Sequence, residues 1–165
     1  MTMKLTSKIA PCLWFDSQAE TAAKFYTAVF KDGRIIKTSH YTEAGHEIHG
    51  QAAGSVMTVD FEIAGLSFTA LNGGPLFKFT EAISFQVNCD TQDEIDYFWT
   101  KLSDGGEEVQ CGWLKDRFGV SWQIVPSMMG DWFTESNPQG SNRAMLAMLG
   151  MKKLDIAALR KAFAG

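Results

Sequence analysis

The sequence predicts an α+β fold built from two βαβββ units, and three observations predict it. Two motif pairs recur along the chain in the same order, Asp16-Ser17-Gln18-Ala19-Glu20 as Asp90-Thr91-Gln92-Asp93-Glu94, and Gly65-Leu66-Ser67-Phe68-Thr69 as Gly119-Val120-Ser121-Trp122-Gln123. Such internal similarity decides an architecture before any local reading does. The first motif of each pair has the features of a helix start, and the second has those of a strand after a glycine turn.

The elements follow in order. A strand-like run over 8–15 leads to Ser17 and Glu20, which have capping-box spacing; Ala22, Ala23, Tyr26, Val29 and Phe30 then form a helical apolar stripe. Asp32-Gly33 is expected to end that helix, glycine tolerating the left-handed conformation. Residues 34–41 supply a second strand. Residues 56–63, Ala64-Gly65 and 66–71 read as a hairpin. The stretch from Asn72-Gly73-Gly74-Pro75 to about Thr80 joins the copies. The second copy runs from a strand over 82–88 to the Thr91/Glu94 box and the stripe Ile95, Phe98, Trp99 and Leu102, ended by Asp104-Gly105-Gly106. A strand over 107–112 and a hairpin of 113–117 and 120–125 around Phe118-Gly119 complete it.

The chain is expected to form a single domain over 1–165, with unit one at about 8–73, unit two at about 82–126 and a C-terminal extension at 127–165. Pro126 ends the last strand. Residues 131–142, with Pro138 and Gly140, read as a loop, and 143–149 and 154–163 as helical segments. Met145, Met148, Leu149 and Met151 either pack on the protein's own sheet or form a subunit interface.

Composition bounds the function. The 165 residues are 45% hydrophobic with 12 Phe and 5 Trp, enough for a packed core or an aromatic-lined pocket. The net charge of −4 and the lack of a basic run argue against nucleic acid and anionic membranes. No stretch reaches the roughly 20 apolar residues of a spanning helix. Residues 1–14 lack a signal-peptide pattern and read as a leader into the first strand. Cys12, Cys89 and Cys111 fit no disulfide or CxxC framework, which points to reduced thiols in the cytoplasm, each read as a small buried hydrophobe.

Paired βαβββ units resemble the glyoxalase/bleomycin-resistance/dioxygenase (vicinal oxygen chelate) superfamily. More narrowly, Cys12-Leu13-Trp14-Phe15-Asp16 with Ala23-Lys24-Phe25-Tyr26, the run Ala70-Leu71-Asn72-Gly73-Gly74-Pro75, and 111–123 (CGWLKDRFGVSWQ) are similar to the PhnB-like, 3-demethylubiquinone-9 3-methyltransferase-like family. The resemblance covers about 8–126 and, through residues 151–156, extends into the tail. It implies that each unit curls its sheet into half of a cup that holds a small-molecule ligand, and that the protein is a homodimer.

Metal-bearing relatives place His, Glu or Gln on the first and last strands of each unit. Here Gln123 stands where relatives often have Glu, and its repeat partner is Thr69. The first strands offer Ile9, Pro11 or Leu13, and Ala82, Ser84 or Gln86, where a His is expected. Hard divalent ions favour anionic oxygen or imidazole, so no metal and no cofactor are expected. His46-Glu47-Ile48-His49, near His40 and Glu43, looks ligand-like, but Gly45 and Gly50 read as a loop.

Alternation places Cys12, Trp14, Thr69, Gln86 and Gln123 in the cup, with Trp113 as a core residue or a ligand platform. These groups can orient a carbonyl or amide, and Trp14 can stack on a planar ligand. No general base is visible among them. Cys12 is a nucleophile only with a base or cation beside it, and otherwise an inert buried thiol. Lys115-Asp116-Arg117 reads either as a charged rim or as a solvated turn with a local ion pair.

The expected function is binding of a small organic, planar or aromatic molecule without metal, with or without catalysis. The alternatives are an S-adenosylmethionine-dependent methyltransferase and a metal-dependent glyoxalase- or dioxygenase-type enzyme. No glycine-rich strand-to-helix loop with an acidic partner about 20 residues on supports a nucleotide-type cofactor.

Overall fold

A computed structural model describes residues 7–165; the start of the predicted leader lies outside them. The chain divides into two compact units with the boundary between Lys78 and Phe79. The first contains β1 (Cys12–Phe15), α1 (Ala19–Val29), β2 (Arg34–His40), α2 (His46–His49), β3 (Val56–Ile63) and β4 (Leu66–Asn72). The second contains β5 (Ser84–Cys89), α3 (Gln92–Ser103), β6 (Glu107–Glu108), β7 (Trp113–Lys115), β8 (Ser121–Pro126), α4 (Met129–Trp132), α5 (Pro138–Leu149) and α6 (Ile156–Ala164). The predicted βαβββ order is present twice. Both first strands start later than the apolar runs suggested, because Pro11 and the turn at Glu81-Ala82 precede the ladders.

Each unit folds its strands into one mixed four-stranded sheet, in the order β1-β4-β3-β2 and β5-β8-β7-β6. The first strand pairs parallel to the last, and the remaining pairs are antiparallel. The ladders carry the repeat to single residues. Cys12 is opposite Thr69, and Gln86 is opposite Gln123, as the two motif offsets require.

One face of each sheet is covered by its helix. In the first unit Ala19, Ala22 and Ala23 are fully buried, so the helix backbone approaches the strands closely. Tyr26 stacks on Phe61 at 5.9 Å, and Phe61 on Phe68 at 5.3 Å. In the second unit Ile95, Trp99 and Leu102 are buried on the helix, and Leu114, Trp122 and Ile124 on the sheet.

The helix starts differ from the expectation in one unit. Thr91 caps α3 as predicted: its hydroxyl accepts from the Glu94 amide, 3.2 Å, and the Glu94 carboxylate accepts from the Asp90 amide, 2.7 Å. The Ser17/Glu20 box does not form. Gln18 occupies the cap position without a side-chain bond, Glu20 pairs with Lys24, and the Ala19 amide donates to Asn72 Oδ1 from the end of β4, 2.8 Å. Gly33 is not left-handed either; a Cβ there would lie 2.5 Å from Thr27 Cα, so close packing requires the glycine.

The two hairpins close by different means. Ala64 and Gly65 both take positive φ, 49° and 75°, the geometry that suits a two-residue hairpin. In the second unit the buried Asp116 carboxylate builds the turn. It accepts from the amides of Phe118, 2.9 Å, and Val120, 3.1 Å, and from the Trp122 indole, 2.9 Å. Neither the charged-rim nor the solvated-turn reading survives for Asp116, because these donors hold it inside. Its neighbours turn outward, Lys115 pairing with Glu81 and Arg117 with Asp104.

Three more expectations are corrected. The strand predicted over 107–112 is confined to Glu107–Glu108, since Cys111 and Gly112 adopt left-handed φ of 60° and 81°. The histidine segment is a four-residue helix between left-handed Gly45 and Gly50 rather than a loop. The predicted loop 131–142 overlaps the end of α4 and the start of α5. Pro138 sits at the start of α5, where its missing N–H costs nothing, and Asn137 caps it by accepting from the Gly140 amide, 3.0 Å. Among the described residues, no helix is long and apolar enough to cross a membrane.

Candidate functional site

The uncovered face of the second sheet carries the groups that strand alternation brings together. Leu114, Trp122 and Ile124 point to the helix, which leaves Gln86 and Asn88 of β5, Trp113 of β7, and Gln123 and Val125 of β8 on the other side. Gln86 and Gln123 are ladder partners, and Gln123 is also opposite Trp113. The Gln123 amide donates to Ser84 Oγ, 2.8 Å, while Gln86 Nε2 makes a long 3.4 Å contact to Gln123 Oε1. The Gln86 carbonyl therefore remains available on an exposed side chain.

These side chains line a cavity of ≈ 360 Å³. Its remaining walls come from Cys111 and from the C-terminal segment, through Met129, Phe133, Met145 and Met148. Sequence reasoning found Gln86, Trp113 and Gln123 here and missed the tail residues. The signal available for them was the helical spacing of Met145 and Met148, which were read as packing or an interface. Trp122 belongs to the core, with its indole on Asp116.

The open face of the first sheet holds the other predicted residues. Leu13 and Phe15 are buried under α1, so Cys12 and Trp14 face the opposite way with Thr69 and Leu71. Thr69 Oγ1 donates to Asp60 Oδ1, 2.6 Å. Asp60 was missed, although the alternation of Thr58, Asp60 and Glu62 with buried Val59, Phe61 and Ile63 places it on this face. Trp14 is engaged by the linker: its Nε1 donates to the Gly74 carbonyl, 2.9 Å, and its ring meets Phe77 edge-on at 5.0 Å.

The thiols differ from the reading of three buried hydrophobes. Cys12 is exposed, Cys89 buried and Cys111 half-buried. Desolvation, and then the Asp60 charge, raise the Cys12 pKa above that of a free thiol. The carboxylate beside it thus disfavours the thiolate, the opposite of activation. Burial, then Glu94 and Asp90, push Cys89 up to about 12.

The donor set does not suit a metal. Of the first-strand positions where a His was expected, Leu13 is buried under the helix, and Ile9, Pro11 and Ala82 lie before their strands. At the ladder-defined positions the first unit's open face holds Cys12, Thr69 and a single carboxylate, Asp60, and the second unit's holds two neutral amides, Gln86 and Gln123; neither gives a divalent ion the several anionic-oxygen or imidazole ligands it favours. Among the described residues no three His, Cys, Asp or Glu side chains converge as a metal site. His46 and His49 lie with ring centroids 6.3 Å apart. The His49 ring packs on Tyr41 at 4.6 Å, and its Nδ1 accepts from the Gln51 amide, 3.0 Å.

The family model described as 3-demethylubiquinone-9 3-methyltransferase matches residues 7–125. Among solved structures, the PhnB protein from Bacillus cereus is 33% identical with a TM-score of 0.63, covering 72% of this chain and 99% of its own. A protein from Pseudomonas aeruginosa shares the fold at 18% identity and a TM-score of 0.57, over 73% of this chain and 98% of its own. The fosfomycin resistance protein FosX from Mesorhizobium loti shares it at 13% identity and 0.53, over 78% and 97%. No curated protein sequence matches this chain.

Proposed function

The chain belongs to the PhnB-like, 3-demethylubiquinone-9 3-methyltransferase-like family of the vicinal oxygen chelate superfamily, and from that premise we propose that it binds a small organic molecule on the second unit's open face without a metal ion. The observation that carries this reading is the pairing of Gln86 with Gln123 inside a largely apolar cavity. A few convergent polar groups within an apolar wall are the usual composition of a small-molecule site. The amides orient a carbonyl or amide edge, and Trp113 and Phe133 offer aromatic surface. The reading extends to Cys12, Trp14 and Thr69 as ligand contacts on the open face of the first unit. The Thr69–Asp60 bond supports a polar ligand group there.

Thermal unfolding of chelator-treated protein tests this. Bicyclic lactams and, separately, S-adenosylmethionine are added at increasing concentration. A ligand at 100 times its Kd stabilises the native state by about 2.7 kcal/mol. The expected result is stabilisation by a lactam, weakened severalfold in apparent affinity by Gln86→Ala or Gln123→Ala. Stabilisation by S-adenosylmethionine alone would favour methyl transfer, and stabilisation that needs an added divalent metal would refute the metal-free site.

The family further supports a homodimer, and the free thiols a reducing, cytoplasmic setting. Light scattering is expected to return twice the 18.3 kDa chain mass.

A further inference from the structure

The family match stops at residue 125. The Bacillus cereus protein is accounted for almost completely by 72% of this chain, leaving more than a quarter of it without a counterpart. The additional segment is anchored to the second unit. The Gln92 side chain donates to the Leu154 carbonyl, 3.1 Å, and accepts from the Ile156 amide, 2.9 Å. The amides of Cys111 and Gly112 donate to the carbonyls of Met151 and Lys152, both at 2.8 Å. Arg143 locks α5 onto α6 through the carbonyls of Ala162, 2.8 Å, and Phe163, 2.6 Å. So fixed, the segment turns Met129, Phe133, Met145 and Met148 onto the cavity.

We infer that this C-terminal segment is the specificity wall of the site, and that it selects planar conjugated ring systems carrying a hydrogen-bond donor and acceptor side by side on one edge, as in a lactam. The inference rests on the proposed binding face and adds the class of ligand. Three observations converge on it. The sheet wall ends in primary amides, of which the Gln86 carbonyl and the Asn88 side chain have no partner among the described residues. A primary amide pairs with a lactam edge through one bond given and one accepted. The opposite wall combines thioethers with an aromatic ring, and sulfur contacts aromatic surface favourably. At ≈ 360 Å³ the cavity is near the lower end of small-molecule sites, which favours a two-ring ligand over a larger one.

The test compares two probes with the same edge and the same ring skeleton, 2-quinolone, which is flat, and octahydro-2-quinolone, which is puckered. Isothermal titration of the full chain is expected to give at least about a tenfold preference for the flat probe. The double variant Met145→Ala/Met148→Ala is expected to reduce that preference to under about threefold, with circular dichroism unchanged. Should the double variant fail to fold, Met145→Leu/Met148→Leu keeps helix propensity and volume, and is expected to lower the preference through loss of sulfur alone. A preference unchanged in a folded variant overturns the specificity wall. If Gln86→Ala still weakens binding severalfold in that case, the amide face stands and only the wall falls. No binding of either probe by the wild type overturns both.

Discussion

At the centre of the first sheet, Cys12 is opposite Thr69 and Thr69 opposite Asp60. At the same three places of the second sheet stand Gln86, Gln123 and Trp113. The ladders are equivalent and the chemistry is not. The first face presents a thiol, a hydroxyl and a carboxylate, with the thiol pKa raised by desolvation and then by the Asp60 charge. The second presents neutral amides and an indole within an apolar cavity. Repetition of a βαβββ unit therefore fixes where side chains project, while the choice of side chain separates a polar face from one suited to an uncharged organic ligand.

The hairpins give the largest test of this comparison. Asp116→Ala removes an acceptor from two amides and the Trp122 indole and leaves buried donors unpaired, so it is expected to cost about 3–5 kcal/mol in urea unfolding. Gly65→Ala places a Cβ at positive φ in an open turn and is expected to cost only about 1–2 kcal/mol. Equal costs would break the claim that one turn depends on a side chain and the other on backbone.

Next in size are the helix starts. Asn72 accepts from the Ala19 amide and donates to the Val56 carbonyl, 3.0 Å, so Asn72→Ala is expected to cost about 2–3 kcal/mol. Thr91→Ala loses one exposed cap bond, worth about 1 kcal/mol. Hydrogen exchange in α1 and α3 separates the two losses.

Cys89 gives the second unit an alkaline weakness. Its folded pKa of about 12 lies above the unfolded 9.0, so the native state holds the proton more tightly. The resulting stability is complete below pH 9 and lost as pH rises through about 12. Between these values the slope approaches about 1.4 kcal/mol per pH unit. Urea midpoints of Cys89→Ala, compared with wild type, are expected to show a shallower decline in that window. An unchanged slope assigns the decline to other groups.

The smallest effect is at Cys12. Asp60→Asn removes the lesser of the two causes that raise its pKa. Iodoacetamide labelling at neutral pH, followed by peptide mass, is expected to accelerate by less than about tenfold. Slower labelling would mean that Asp60 assists the thiol.

Features settled by neighbours in sequence were legible in advance. The Thr91/Glu94 spacing, the hairpin of β3 and β4 and its Ala64-Gly65 turn are local, and the structure contains all three. Features settled by distant partners were not. The Ala19 amide is capped from 53 residues away, so the weaker local candidate Ser17 was preferred. Asp116 resembled a surface charge because its indole and amide donors meet it only after the hairpin folds. Pro138 and Gly140 read as breakers, although a proline at a helix start favours the helix and a Cβ on Gly140 would lie 2.8 Å from the Phe163 carbonyl. The tail wall of the cavity was invisible for the same reason. It exists through the Gln92 bridge and the pairing of 111–112 with 151–152, neither of which any sequence period reports.

In the proposed site the second unit's amides hold an organic ligand without metal. The most direct test is NMR of the side-chain amides of Gln86, Asn88 and Gln123 and the indole of Trp113 during titration of chelator-treated protein with 2-quinolone. Saturable shifts at these four residues are the predicted result. Shifts that appear only after a divalent metal is added, or that leave Gln86 and Gln123 unmoved, would contradict it.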